Sequence, residues 1–116
     1  DSAVDPYSPN VIRNSTGALF EIPLITASSE ELIRSFNSNG RKVYVTNLHE
    51  DAHSMFNIKW PNKCAIVLGE EANGLSETWV TNDFENIIIP MEGETIDSLN
   101  VSVSAALLMY HWRSQQ

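Results

Sequence analysis

Three short apolar runs constrain the fold of this chain more than any other feature. They are KVYVT at 42–46, CAIVLG at 64–69 and NIIIP at 86–90. Each run is almost wholly apolar and is bounded by polar residues, which is typical of strands that are covered on both faces. Because helical patterns separate the runs, the sequence predicts an α/β fold with an open, mostly parallel sheet and helices on both faces.

The first third of the chain contains two further helical signals. PNVIRNSTGAL at 9–19 has Pro in its first turn and predicts a short helix. FEIPLIT at 20–26 has strand-like residues, although Pro23 weakens the hydrogen bonding of such a strand or places it at a sheet edge. Ser28 followed by Glu31 forms a capping box, and Gly40 suits a helix C-terminus, so a helix is expected between them.

The C-terminal segment SLNVSVSAALLMYHWRS predicts a long helix that packs on the sheet. Its helical spacing places an apolar face on Leu99, Val103, Ala106, Leu107 and Tyr110. Arg113 falls in the last turn, where a cation interacts favourably with the helix dipole.

Size and composition limit the class of protein. A chain of 116 residues with 42% hydrophobic content is expected to form one domain. It has no apolar run near the roughly 20 residues needed to span a bilayer. The single cysteine, Cys64, cannot form an internal disulfide and indicates a reducing compartment. A cytoplasmic protein that does not enter the membrane is therefore expected.

The charge distribution argues against binding through phosphate attraction alone. Fifteen acidic and seven basic side chains give a formal net charge of −8. Between Lys63 and Arg113 there are eight carboxylates and neither Lys nor Arg. The basic residues that remain to form a modest patch are Arg13, Arg34, Arg41 and Lys42.

The pentapeptide HEDAH at 49–53 fits the H-E-x-x-H pattern of zinc peptidases. Such an enzyme needs both His residues on one face of a stable helix and a third ligand, for which Glu70 or Glu71 is available. The residues that follow supply barely two turns before Pro61, and so short a helix is marginal in water. A solvated loop or short helix is expected here, with no metal, and zinc peptidase remains a remote alternative.

Two strand ends carry polar, glycine-containing loops. VLGEEANGLSE at 67–77 has Gly69 and Gly74, but it lacks the Lys of a phosphate-binding P-loop. IIIPMEGETIDSLN at 87–100 repeats the order of strand, loop and helix N-terminus. Because ligands of parallel sheets bind beyond the carboxyl ends of the strands, these loops are expected to form one pocket.

Three blocks in this order resemble the SpoU (TrmH-type) branch of the SPOUT RNA ribose 2′-O-methyltransferases. They are DPYSPNVIRNSTGALFEIPL, IVLGEEANGLSE and IIIPMEGETIDSLNVSVSAALLMY. The resemblance implies a C-terminal trefoil knot, an exception to the rule that chains do not thread themselves. It also implies a homodimer, an RNA substrate (tRNA or rRNA) and S-adenosylmethionine as cofactor, without a metal.

The resemblance also implies roles for individual residues. The cofactor is expected to contact Thr46, Asn47, Leu48, Leu68, Gly69, Gly74, Ile89, Pro90, Met91 and Leu99. The catalytic residues are expected to be Glu71, Ser98 and Asn100. These three match polar positions of the second and third motifs. The alternative for Glu71 and Asn100 is that they only hold the knot loops together. RNA contacts are expected at Arg13 and Arg41.

The chain departs from the family pattern in one respect. The first motif, an Asn followed several residues later by an Arg, is absent, and Asn10 with Arg13 belongs to a later block. Residues 1–116 are therefore expected to form one SPOUT domain without its first βα unit. A catalytically incomplete fragment that binds cofactor and dimerises remains the alternative to a working methyltransferase.

Overall fold

A computed structural model describes residues 5–47, 51–69, 75–80, 83–91 and 100–116. Its helices are α1 (Pro9–Asn14), α2 (Ser29–Asn39), α3 (Glu77–Val80) and α4 (Val101–Ser114). Its strands are β1 (Lys42–Thr46), β2 (His53–Ser54), β3 (Cys64–Val67) and β4 (Glu85–Ile88). Two 3₁₀ turns, Ala18–Phe20 and Met55–Asn57, complete the regular structure of these residues.

The strands form a four-stranded sheet in the order β2-β4-β1-β3. Every pairing is parallel, and β1 lies in the middle between β4 and β3. The register sets Val45 opposite Val67 and Thr46 opposite Ile87. The predicted α/β class and parallel sheet are thus confirmed.

The side chains of β1 alternate between two apolar clusters, which shows that both faces of the sheet are covered. The Tyr44 cluster occupies the face on which α4 packs, the α4 face, and consists of Tyr44, Met55, Ile58, Trp60, Ile87 and Leu108. The Val45 cluster occupies the face on which α2 and α3 pack, the α2 face, and consists of Ile33, Val43, Val45 and Trp79. Strand β3 lies at the edge of the described sheet and is only half-buried, which the prediction of fully covered strands did not anticipate.

Helix α2 begins and ends at the predicted residues. The Ser28 hydroxyl accepts a hydrogen bond from the Glu31 backbone N–H and donates one to the Glu31 carboxylate. Gly40 ends the helix in the left-handed conformation, with a φ of 64°. The Trp79 indole N–H of α3 donates to the hydroxyl of buried Ser29, which fixes the two helices to each other.

The expected helix over 9–19 is wrong in its C-terminal half. Helix α1 stops at Asn14, and Thr16 and Gly17 follow with φ values of 52° and 89°. Two successive left-handed residues cannot continue a right-handed helix. The strand expected within 20–26 is also absent from the described sheet, and Phe20, Ile22 and Ile25 there are exposed.

Helix α4 packs through a different face from the one that the sequence predicts. Val103, Leu107 and Tyr110 are exposed by 45%, 40% and 78%, and Ala106 is exposed as well, whereas Leu108 is fully buried. The predicted face also included Leu99, which lies outside the described residues. The helix is apolar on more than one side, so spacing alone did not select the face that packs.

Hydrogen bonds at the C-terminal end of α4 explain why its other face packs against the sheet. The Trp112 indole N–H donates to the Pro61 carbonyl, and the Trp60 indole N–H donates to His111 Nδ1. Gln115 accepts from the Trp60 backbone N–H and donates to the Ile58 carbonyl. These bonds bind the end of α4 to the 58–61 segment. Half-buried His111 therefore takes part in the packing of α4.

The last residue of HEDAH and the residue after it form a short strand, where the sequence predicts a solvated loop or short helix. His53 and Ser54 make up β2, which pairs with Ile87 and Ile88. A two-residue strand is too short to leave a periodic pattern.

Among the described helices, none is long and apolar enough to cross a membrane.

Candidate functional site

The carboxyl ends of β1, β3 and β4 meet at one edge of the sheet, because all three strands are parallel. Thr46 and Asn47 stand at this edge between the other two strands. The Thr46 hydroxyl donates to the Val67 carbonyl over 3.2 Å. The Asn47 backbone N–H donates to the Ile87 carbonyl, also over 3.2 Å. The end of β1 is therefore bonded to both of its neighbours.

Apolar side chains line the continuation of the neighbouring strands. Leu68 and Ile89 are half-buried and pack against the Tyr44 cluster. Gly69 and Met91 are half-buried, and Pro90 is exposed. The described parts of the predicted cofactor set thus lie at or just beyond the carboxyl ends of three parallel strands.

Asn100 is the N-cap of α4. Its side-chain oxygen accepts a hydrogen bond from the Ser102 backbone N–H over 2.8 Å and another from the Ser102 hydroxyl. Substituting such a cap typically costs about 1 kcal/mol of helix stability. A cap of this kind is what Asn100 would provide if its role were only to hold a loop to the helix. The residue is also exposed, so a ligand could still contact it.

Several of the predicted site residues lie outside the described residues. They are Leu48, Glu71, Gly74, Ser98 and Leu99. Their assignments therefore stay predictions.

The two predicted RNA-binding residues are exposed and belong to different parts of the fold's element order. Arg13 is in the last turn of α1, a helix with no buried residue. Arg41 directly precedes β1 and so lies at the amino edge of the sheet. Five strand residues separate it from the carboxyl edge, a length of about 16 Å. The structure therefore does not bring Arg41 to the predicted cofactor residues.

A charged cluster joins three strands on the α4 face. Glu85 accepts from Lys42 Nζ at 3.0 Å and pairs with His53 Nδ1 at 3.0 Å. Partial burial alone raises the pKa of the Glu85 carboxyl. Hydrogen bonds from Lys42 and His53, with their charges, outweigh burial and hold that pKa below its ordinary value.

The zinc-peptidase alternative does not fit this geometry. It requires His49 and His53 on one face of a helix, but His53 is in β2 and is directed to Glu85. His49 lies outside the described residues. Within the described ranges, no three His, Cys, Asp or Glu side chains are grouped so that they could hold a metal.

Cys64 is a poor nucleophile in this setting. Partial burial raises the pKa of its thiol, and the charge of nearby Arg41 opposes this only in part. Burial, together with the negative charge of Glu85, likewise raises the pKa of the Tyr44 hydroxyl. Neither group is prepared for chemistry at neutral pH.

The sequence did not identify Asn86 as a site residue. Its side-chain oxygen accepts a hydrogen bond from Asn47 Nδ2 over 3.2 Å, so it is part of the carboxyl edge. The available signal was an amide at the start of the otherwise apolar run NIIIP. A polar side chain in a half-buried strand generally needs a partner.

The residues of this edge suit a flat nucleoside that carries no phosphate. Half-buried Leu68, Ile89 and Met91 offer apolar surface for a base, and the Thr46 hydroxyl and the Asn47 amide offer polar groups for a ribose or base edge. No described cation lies among them that would attract a phosphate. S-adenosylmethionine, which has no phosphate, fits this set of groups.

Comparison with known proteins agrees with this chemistry. The family model of the SpoU rRNA methylase family matches residues 1–110. The 23S rRNA (guanosine(2553)-2′-O)-methyltransferase RlmP of Bacillus subtilis is 29% identical over 113 residues. That alignment covers 97% of this chain and 45% of the relative. The tRNA (guanosine(18)-2′-O)-methyltransferase of Thermus thermophilus is 35% identical over 86 residues, which is 74% of this chain and 44% of that enzyme.

Solved structures show the same similarity. A crystal structure of an RNA 2′-O ribose methyltransferase matches with a TM-score of 0.86 and 38% identity, covering 98% of this chain and 43% of that one. An AdoMet-bound rRNA methyltransferase from Sinorhizobium meliloti matches with a TM-score of 0.88 and 26% identity, again over 98% and 43%.

The chain thus spans less than half the length of these relatives. The family match nevertheless covers nearly all of it, in sequence and in fold. This chain belongs to the SpoU rRNA methylase family.

Proposed function

We propose that this protein transfers a methyl group from S-adenosylmethionine to a ribose 2′-hydroxyl of tRNA or rRNA. The observation that carries this proposal is the meeting of β1, β3 and β4 at one edge, where the described residues of the family's motif segments lie side by side. Relatives of this family named above act on 23S rRNA and on tRNA. The chain itself does not indicate which of the two is its substrate.

The cofactor would be held at the carboxyl edge of the sheet. S-adenosylmethionine, when bound, supplies an electrophilic methyl group on a positively charged sulfur. The residues proposed to hold it are Thr46, Asn47, Leu48, Leu68, Gly69, Gly74, Ile89, Pro90, Met91 and Leu99. Of these, Leu68 and Ile89 are half-buried and pack against the Tyr44 cluster, so they can present a rigid apolar wall to the base.

Catalysis would depend on orientation, because methyl transfer requires the 2′-oxygen, the methyl carbon and the leaving sulfur to be in line. We assign Glu71, Ser98 and Asn100 to this task. Asn100 adjoins the N-terminus of α4, where backbone N–H groups are also available to a ligand. The ribose hydroxyl is weakly acidic, so one polar group must also help to remove its proton.

The RNA would reach this site along exposed basic residues, of which Arg13 and Arg41 are the proposed contacts. The position of Arg41 before β1 allows it to contact a large substrate at a point remote from the reacting ribose. Such contacts position the substrate without reading its sequence. A protein with this activity would work in the cytoplasm.

A trefoil knot and a homodimer complete the proposal. In the knot, α4 would pass through a loop of the chain; its support is the likeness in fold to SpoU methyltransferase structures. An experimental structure that traces residues 92–99 would test the threading. In the dimer, the exposed apolar face of α4, formed by Val103, Leu107 and Tyr110, would meet a second copy.

A catalytically incomplete part of such an enzyme is the competing function. It is favoured by one observation: the matched residues cover only 45% and 44% of the two relatives named above. In that case residues 1–116 would bind the cofactor and dimerise without turnover.

Calorimetry followed by an activity assay tests both functions. The chain is titrated with S-adenosylmethionine and is then incubated with bulk tRNA and rRNA and a methyl-labelled cofactor. Saturable heat with label in ribose 2′-O-methyl groups supports the methyltransferase. Heat without transfer supports the incomplete form, and absence of heat contradicts both.

A further inference from the structure

We infer that Asn86 is a positioning residue of the carboxyl edge: it holds Asn47 in place for the cofactor. This inference rests on the proposed function, because the role of Asn47 as a cofactor contact belongs to that proposal. Asn86 itself is not among the residues proposed to contact the cofactor. The observation behind the inference is the hydrogen bond that Asn47 Nδ2 donates to Asn86 Oδ1 over 3.2 Å.

Two bonds of Asn47 go to adjacent residues of β4. Its backbone N–H donates to the Ile87 carbonyl, and its side chain donates to Asn86. The first bond fixes the main chain, and the second removes the freedom of the side chain to rotate. Since Thr46 is also bonded to β3, the described end of this segment is held to both neighbouring strands.

The two amides lie on the α2 face of the sheet. Asn86 shares its face with Phe84, which packs against the Val45 cluster, and Asn47 shares its face with Val45. Both amides are half-buried. Glu85, between Phe84 and Asn86, is on the opposite face with Lys42 and His53, so the charged cluster does not compete for the amide pair.

Within the described part of the chain, the bond leaves one polar atom of each side chain without a partner. Asn86 contributes only its oxygen to the pair and Asn47 contributes only its side-chain nitrogen. Among the described residues, the Asn47 side-chain oxygen therefore remains an acceptor at the carboxyl edge. Because this acceptor is already held in place, less side-chain conformational entropy is lost when the cofactor binds.

Calorimetry of S-adenosylmethionine binding to a small set of variants tests the inference. Asn86→Ala should weaken binding about threefold to tenfold, the range expected for loss of one neutral hydrogen bond. Asn86→Asp keeps the acceptor oxygen and should restore binding to within about twofold of the unsubstituted chain. Asn47→Ala combined with Asn86→Ala should be no weaker than Asn47→Ala alone, because the two residues act through one contact.

The matched control removes an amide pair elsewhere. Asn62 Nδ2 donates to Gln116 Oε1 over 3.4 Å, before the start of β3 and therefore away from the carboxyl edge. Asn62→Ala should leave the affinity unchanged. The free energy of unfolding of every variant, measured in urea without cofactor, separates a loss of stability from a loss of affinity.

The outcomes distinguish this inference from the proposed function. If the unsubstituted chain binds S-adenosylmethionine and Asn86→Ala binds it equally well, the inference is overturned and the proposed function stands. The inference also falls if Asn86→Asp is as weak as Asn86→Ala. If the unsubstituted chain gives no heat, the proposed function fails and the inference fails with it.

Discussion

At the scale of single residues, Glu85 has the largest number of described charged partners. It joins β4 to Lys42 of β1 and to His53 of β2. Lys42 also lies 5.5 Å from the ring centroid of Tyr44, so the same cation contacts an aromatic face of the Tyr44 cluster. The Glu85 side chain is 24% exposed, which reduces screening by solvent relative to a surface pair.

Because the pKa of Glu85 is lowered in the folded chain, the free energy of unfolding should change with pH in the acid range. Its carboxyl has an ordinary pKa of 4.5 and a lower pKa in the folded chain. The contribution of the ionised group is therefore fully present above about pH 4.5 and is lost as the pH falls through the folded value. Glu85→Gln should cost about 1 kcal/mol at pH 7 and progressively less as the pH falls from about 4.5 to 2.5. Urea unfolding between these pH values measures the difference.

Glu21→Gln serves as the control for this pH effect. Glu21 is an exposed carboxyl next to the first 3₁₀ turn. The cost of Glu21→Gln should not depend on pH in the same way. A cost of Glu85→Gln that stays constant from pH 7 to pH 2.5 would contradict the role assigned to the charged cluster.

At the scale of elements, α4 divides its apolar residues between two surfaces. Leu108 is fully buried in the Tyr44 cluster, whereas its neighbour Leu107 is 40% exposed. On the buried side of α4, the rings of Tyr44 and Trp60 are in contact, with centroids 4.6 Å apart. Trp60 in turn is hydrogen-bonded to His111 near the end of the helix. The exposed side has no comparable partner among the described residues.

Substitutions at these two adjacent leucines are therefore expected to have different effects, one on stability and the other on dimerisation. Leu108→Ala should lower the free energy of unfolding by about 2–5 kcal/mol, because it leaves a cavity in the core. Leu107→Lys should change the stability of the dilute monomer by less than about 1 kcal/mol and should abolish the proposed dimer. Urea unfolding at low protein concentration measures the first effect, and sedimentation velocity at high concentration measures the second. A chain that sediments as a monomer without any substitution would rule out the dimer.

At the scale of the whole molecule, the charge of −8 opposes contact with RNA. Phosphate attraction supplies most of the affinity of nucleic-acid-binding proteins, and it scales with the number of basic contacts. Here only two arginines, Arg13 and Arg41, are proposed for that purpose. Recognition of RNA by this chain would then depend on the pocket rather than on its surface field.

Weak RNA binding is the expected result. At about 0.15 M salt the chain should bind tRNA or rRNA with a Kd above about 100 µM, the weak end of non-specific binding. Arg13→Glu combined with Arg41→Glu should weaken the binding seen at low salt and should lower its salt slope by about 1–2. Fluorescence anisotropy with labelled RNA measures both. Micromolar affinity that the double variant retains would show that another surface binds the RNA.

The sequence determined the elements that depend on local pattern. Strands β1, β3 and β4 were predicted from apolar runs, and α2 was predicted from the Ser28 cap and the Gly40 stop. The motifs beyond the strand ends also led to the family. These features are readable because apolar periodicity and capping are properties of neighbouring residues.

Only the tertiary structure decided which surfaces meet. Helix α4 is apolar on two sides, and the contacts of Trp60 and Trp112 with residues about 50 positions away selected the buried one. The two-residue strand β2 and the Asn47–Asn86 bond likewise depend on partners more than 30 positions away in the chain. Local sequence pattern has no information on such partners, because the register between distant strands is set when the whole sheet packs.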